Sequence, residues 1–215
     1  MKNIPVFTTQ YGAASLILKE VPYKAEAYIK IQDTSDPEKL LEECCDFCRA
    51  VGARKIYASG HCWLEKYPLH TSIYKMAAVR DALPDTDAAL MPVTDKTLEQ
   101  WRTIYNNRMA DVANASHMSE SDARKMLADG DGYFVHRAER LIGIGKASGD
   151  RIEVVISCIP GGGYDVVLAL NHALSCDQVQ LEVASANRRA VALYERIGFI
   201  KTAEISTWHF ISDVM

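Results

Sequence analysis

Between Arg151 and Ala184 the chain reads as strand, glycine run, helix, strand. Arg151-Ile-Glu-Val-Val-Ile-Ser is rich in β-branched residues, Gly161-Gly-Gly163 interrupts it, an apolar segment runs from about Asp165 to Leu174, and Val179–Ala184 is strand-like again. A strand, a helix and a second strand in that order form a right-handed crossover between parallel strands. The prediction is an α/β fold: a central mixed sheet flanked by helices on both faces.

The rest of the chain fits around this unit. Asp36 and Pro37 open a helix to about Val51, with Leu40, Leu41, Cys44, Phe47, Cys48 and Val51 on one stripe. Residues 12–32 read as a strand pair turning at Glu20-Val-Pro-Tyr, and Lys55-Ile-Tyr-Ala-Ser as a short strand. Punctuation by Asp81, Pro84, Asp85, Asp87 and Pro92 suggests a boundary, so two domains are expected: 1–87 and 88–215. The first reads β-β-α-β, and the second β-α-α-β-β-β-α-β-α-β. Arg54-Lys-Ile-Tyr-Ala-Ser and Gln180-Leu-Glu-Val-Ala-Ser both come after a helix, which suggests two related halves.

Composition narrows the function. The chain of 215 residues is 48% hydrophobic and 24% charged, ordinary for a protein with a sizeable core. A net charge of −4, without a basic arm, argues against broad nucleic-acid or anionic-membrane binding. The longest apolar region, Val154 to Cys176, is too interrupted to span a bilayer, and the first residues lack a signal peptide's apolar run. A cytoplasmic location with reduced cysteines is the expectation. Cys44, Cys45, Cys48, His61, Cys62 and His70 lack clean paired zinc spacing, so no metal is expected, with a structural zinc module as a weak alternative.

The stretch Leu181-Glu-Val-Ala-Ser-Ala-Asn187-Arg-Arg-Ala-Val-Ala-Leu-Tyr194-Glu-Arg-Ile-Gly198-Phe199 strongly resembles a signature block of the GNAT superfamily, the acetyl-CoA-dependent N-acetyltransferases. Element order extends the resemblance over 88–215, with 1–87 as a partial GNAT-like domain. Arg151–Pro160 resembles the family's central strand, which splays from its parallel neighbour to admit the pantetheine arm. Pro160-Gly-Gly-Gly163-Tyr-Asp165 takes the place of the phosphate loop, where glycines and a helix N-terminus cradle the pyrophosphate. It departs from the family pattern: the usual Gln/Arg is missing, the loop looks one residue shorter, and Asp165 replaces a small residue, setting a carboxylate near the pyrophosphate.

The resemblance implies a direct acetyl transfer from acetyl-CoA to a primary amine, carried by a small molecule or a peptide. It implies Tyr194 as the acid beside the leaving thiolate and Glu153 as the base. It also implies Gly161, Gly162, Gly163 and Asn187 as cofactor contacts, and backbone N–H groups around Cys158 and Ile159 on the thioester carbonyl. Each has a plainer alternative: Tyr194 in a packed helix face with Ala190, Leu193 and Ile197, Asn187 as a helix cap, Glu153 as a solvated strand residue, Cys158 as a buried thiol. Arg188-Arg189 meets phosphates or solvent. The rival reading is a non-catalytic, degenerate GNAT domain that binds a metabolite or a protein. Oligomeric state stays open, a homodimer included.

Overall fold

A computed structural model describes residues 5–213. The opening residues 1–4, part of the stretch from which no signal peptide is expected, lie outside the described residues. In order, the elements are β1 (Val6–Thr9), β2 (Gly12–Ile17), α1 (Val21–Lys24), β3 (Glu26–Thr34), α2 (Pro37–Ala50), β4 (Lys55–Ser59) and β5 (Leu69–Val79). Next come β6 (Ala89–Pro92), α3 (Leu98–Met109), α4 (Glu120–Asp129), β7 (Gly132–Arg137), β8 (Arg140–Ser148) and β9 (Arg151–Ser157). The last are α5 (Gly163–His172), β10 (Gln178–Ala184), α6 (Arg188–Ile197) and β11 (Ile200–Asp213). No helix among them is long and apolar enough to cross a membrane.

The chain divides into two compact units: residues up to Ile73 with those from Ile205, and Tyr74–Glu204. The expected boundary after residue 87 therefore falls inside the second unit. Residues 74–87 belong there because Met76 and Ala78 enter its core and Asn171 donates to the Arg80 carbonyl at 3.3 Å. The end of β11 belongs to the first unit because it pairs antiparallel with β4, His209 opposite Ala58.

In the first unit β1, β2 and β3 form an antiparallel meander, and β3 pairs in parallel with β4 across α2. The Asp36 side chain accepts the Lys39 N–H and starts α2. Leu40, Leu41, Cys44, Cys45 and Cys48 then bury against Leu16, Ile29, Ile31 and Ile56. Burial pushes the Cys45 thiol up to about 11, and those of Cys44 and Cys48 to about 12, so all three behave as small apolar side chains. The expected turn after β2 is there as the single helical turn α1. Two strands escape the sequence pattern, β1 and β5. In β5 the polar Thr71 and Ser72 are buried, which breaks the apolar alternation.

The second unit has the strand order β6-β7-β8-β9-β10-β5. On one face Trp101 and Tyr105 of α3 and Met126 of α4 pack over Phe134, Ile144, Val154 and Ile156. The indole N–H of Trp101 donates to the Tyr133 carbonyl at 3.1 Å, so this buried ring leaves no polar atom unpaired. On the other face α5 is buried along nearly its whole length against Val135, Ile142, Ile152, Leu181 and Val183. Both flanking layers and the mixed sheet match the expected fold class.

Close approach of α5 needs glycine on β8. A Cβ at Gly143 would collide with the Ile156 carbonyl and the Val166 side chain. Gly143→Ala is expected to lower stability by about 1–3 kcal/mol through overpacking, read as a shift of the denaturant midpoint. An unchanged midpoint would show that the helix can withdraw without cost.

Candidate active site

The site begins where two strands stop pairing. β9 and β10 are parallel, and their register is limited to Gln180 opposite Arg151 and Leu181 opposite Ile152. β9 stays paired to β8 on its other side as far as Ser157, opposite Gly143. Beyond Ile152 and Leu181 the two strands part. In the first unit the equivalent parallel pair, β3 and β4, stays in register from Glu26 opposite Lys55 to Lys30 opposite Ser59.

A cleft of about 880 Å³ lies at the C-terminal end of β9. Its walls are Ser157, the loop Cys158–Gly161, the first residues of α5, one side of α6 through Arg189, Ala190 and Leu193 to Arg196, and Arg108 of α3. Three contacts shape the strand end. The Cys158 N–H donates to the Ile142 carbonyl at 2.9 Å, the Ser157 hydroxyl donates to the Ile159 carbonyl, and Arg108 donates to the Cys158 carbonyl at 3.3 Å.

The cleft suits an anion. Gly161 has φ +79, a left-handed conformation that glycine adopts freely. A Cβ at Gly162 would lie 2.9 Å from the Ser157 hydroxyl oxygen and from the Ile159 side chain, so a larger residue there would make both side chains shift. No side chain caps α5, and its first helical bond runs from the Val166 N–H to the Gly162 carbonyl. The N–H groups of Gly163, Tyr164 and Asp165 thus have no acceptor within the helix, at the end where the helix field favours negative charge. Arg108, Arg189 and Arg196 line the same space, and no carboxylate is among the lining residues described. The Arg196 guanidinium sits 5.5 Å from the Tyr164 ring centroid.

Asp165 is turned out of this cleft. Its two carboxylate oxygens accept from Arg137 at 2.8 and 2.6 Å, and Thr86 donates at 3.4 Å. Arg137 also donates to Asp87 at 2.6 Å.

Of the residues singled out from the sequence, the cleft brings together Cys158, Ile159, Gly161 and Gly163, with Gly162 buried beneath them. One expectation needs correcting: the Cys158 N–H cannot polarise a thioester carbonyl, because the Ile142 carbonyl already takes it. Burial pushes the Cys158 thiol up, against the pull of Arg108, so it is no ready nucleophile. Asn187 caps α6, its side-chain oxygen accepting the Ala190 N–H at 3.2 Å. Tyr194 lies in the core, 7% exposed, with its ring 6.0 Å from that of Phe199. Burial pushes its phenol up to about 12.

Glu153 stands apart from the cleft residues. It lines a depression of about 430 Å³ with Lys75, Arg151, Gln180 and Glu182. Lys146 reaches its carboxylate at 2.5 Å and also pairs with the buried Asp131 at 3.1 Å.

Sequence reasoning missed Arg108, Ser157, Tyr164 and Arg196. Arg196 carried a signal, since Arg189, Leu193 and Arg196 are spaced to share one face of α6. Arg108 carried none, because only the crossing of α3 over the strand end brings it there.

Tyr194 makes a measurable prediction. A phenol whose folded pKa is above its unfolded value stabilises the fold below pH 10, and that stability is lost as pH rises toward 12. Compared with Tyr194→Phe, the wild type is expected to lose about 2–3 kcal/mol more between pH 9 and 12, by chemical denaturation at each pH. Parallel curves would place the hydroxyl in water.

No protein-family model and no curated protein matches this sequence. Solved structures do. A functionally unknown conserved protein from Staphylococcus epidermidis aligns over 99% of this chain and 95% of its own, with a TM-score of 0.62 at 15% identity. A GCN5-related N-acetyltransferase from Sphaerobacter thermophilus aligns over 93% of this chain and 76% of its own, with a TM-score of 0.61 at 12% identity. A tandem GNAT protein from the clavulanic acid biosynthesis pathway aligns over 93% and 78%, with a TM-score of 0.51 at 13% identity. Likeness at such identities is likeness of fold, and the fold is that of the GNAT acetyltransferases.

Proposed function

We propose that the second unit binds acetyl-CoA in the cleft beside the parted strands and transfers its acetyl group to a primary amine. The carrying observation is the cleft itself: an uncapped helix N-terminus at a glycine turn, with arginines and no carboxylate among the lining residues described. The turn of Asp165 toward Arg137 supports it, because the one acidic side chain of the loop does not face the anion. The first unit repeats the strand–helix–strand arrangement, but its β3 and β4 stay paired, so the reading assigns the cofactor to the second unit alone.

In this reading acetyl-CoA supplies an acyl group activated as a thioester. The N–H groups of Gly163 and Tyr164 hold its diphosphate, and Arg108, Arg189 and Arg196 neutralise phosphate charge. The amine lone pair forms the C–N bond, the C–S bond breaks, and its electron pair leaves on sulfur. The surplus proton of the amine leaves to water, and Glu153, which lines the separate depression and is held by Lys146, is the proposed distant acceptor. Tyr194 serves the departing sulfur as a hydrogen-bond donor. A phenol at about 12 facing a thiol of ordinary pKa about 8.5 holds its proton by some 3–4 units, so full transfer to the thiolate is unfavourable. Of the two roles the resemblance implies for Tyr194, proton donor or hydrogen-bond partner of the thiolate, this favours the second. The acceptor class, small amine or peptide, and a cytoplasmic setting are part of the same proposal.

Calorimetric titration of free CoA and acetyl-CoA, at low and moderate salt, tests it. Saturable micromolar binding that weakens with salt is expected. A folded protein silent at millimolar ligand would sink the reading and leave a non-catalytic domain for another partner. With binding in hand, an amine panel should find an acceptor, and Tyr194→Phe should cut turnover by about tenfold or more while CoA affinity stays within about twofold. Unchanged turnover would remove the hydroxyl from the chemistry.

A further inference from the structure

The acidic residue in the first turn of α5 raises a question of charge. A carboxylate there is favourable for the helix but opposes a second anion bound at the same end. Asp165 is 17% exposed, and both of its oxygens are taken by one guanidinium in a fork. A bidentate arginine matches a carboxylate in geometry as well as in charge. The arginine comes from the end of β7, close to the β7–β8 turn, where Ala138 and Glu139 both adopt positive φ. Arg137 is held in turn by Asp87.

We propose that Arg137 is a positioning residue for the anion site: it turns Asp165 away from the cleft and cancels its charge, so that the N-terminus of α5 stays open to a diphosphate. This rests on the reading of the cleft as a CoA site. The plainer role is a clamp, because Arg137 also ties Thr86 and Asp87 to α5. The two roles differ in what reverses the damage. A lost clamp is not repaired by removing a charge, whereas an exposed carboxylate is.

The test is a set of CoA titrations on wild type, Arg137→Gln, Asp165→Asn and the double variant, each checked for folding by thermal melting. Arg137→Gln should weaken CoA binding by roughly three- to tenfold at low salt, and the deficit should shrink near 1 M salt, where charges beyond about 3 Å are screened. The double variant should return to within about twofold of wild type even if its melting temperature stays low. Asp165→Asn alone should bind as well as wild type or more tightly, an arm that holds even if Arg137→Gln fails to fold. If wild type binds CoA and Arg137→Gln binds equally well, the inference is overturned and the proposed function stands. The inference also falls if the double variant stays as weak as the single, or if Asp165→Asn weakens binding. If wild type does not bind CoA at all, both readings fall together.

Discussion

The interruption of one backbone ladder governs the second unit. Two parallel strands that pair at Arg151–Gln180 and Ile152–Leu181 and then separate leave N–H and C=O groups facing a gap. Backbone polar groups away from water need partners, so such a gap persists only where solvent or a ligand can fill it. The opposite edge of β9 is fastened to β8 down to Ser157, and the bond from Cys158 to Ile142 carries the attachment one residue further. The strand therefore has a fixed side and an open side. The glycine turn, the α5 terminus and the arginine-bearing side of α6 are arranged around the open one.

The contrast with the first unit shows that crossover topology alone does not create the opening. β3-α2-β4 has the same connectivity, yet its strands remain in register. The alternative to a gap is a closed ladder, which satisfies every backbone group and leaves nothing to recruit. Both outcomes come from one architecture, and they differ in the segment that joins the first strand to its helix. β3 leads through a short loop to the side-chain cap at Asp36, whereas β9 leads to a glycine turn and a helix without one.

Local signals made much of this legible. The helix caps at Asp36 and Asn187 were readable because a short polar side chain before an apolar stripe has one common use, and each accepts the expected N–H. The Gly161–Gly163 turn was readable because glycine runs mark backbone close to something. Long-range pairing was not. Nothing near Asp165 announces that its partner lies in β7, and nothing near Lys55 announces that β4 will pair with β11. The burial of Tyr194 was half legible: the helix face was clear, but which elements would cover it depended on the whole fold. β5 was hidden because polar residues occupy buried positions along it.

The same long-range pairing bears on synthesis. β4 has β3 on one side from early in the chain, but the strand on its other side is the segment around His209. While the ribosome makes the residues in between, that edge of β4 has no native neighbour. Exposed strand edges invite pairing with other chains, and contacts between distant residues form slowly. The first unit to emerge is thus among the last to be completed. The second unit, a single stretch from Tyr74 to Glu204, can assemble in the meantime. That edge stays exposed from the emergence of β4 until the segment around His209 arrives to pair with it, an interval that spans the synthesis of the whole cleft-bearing unit.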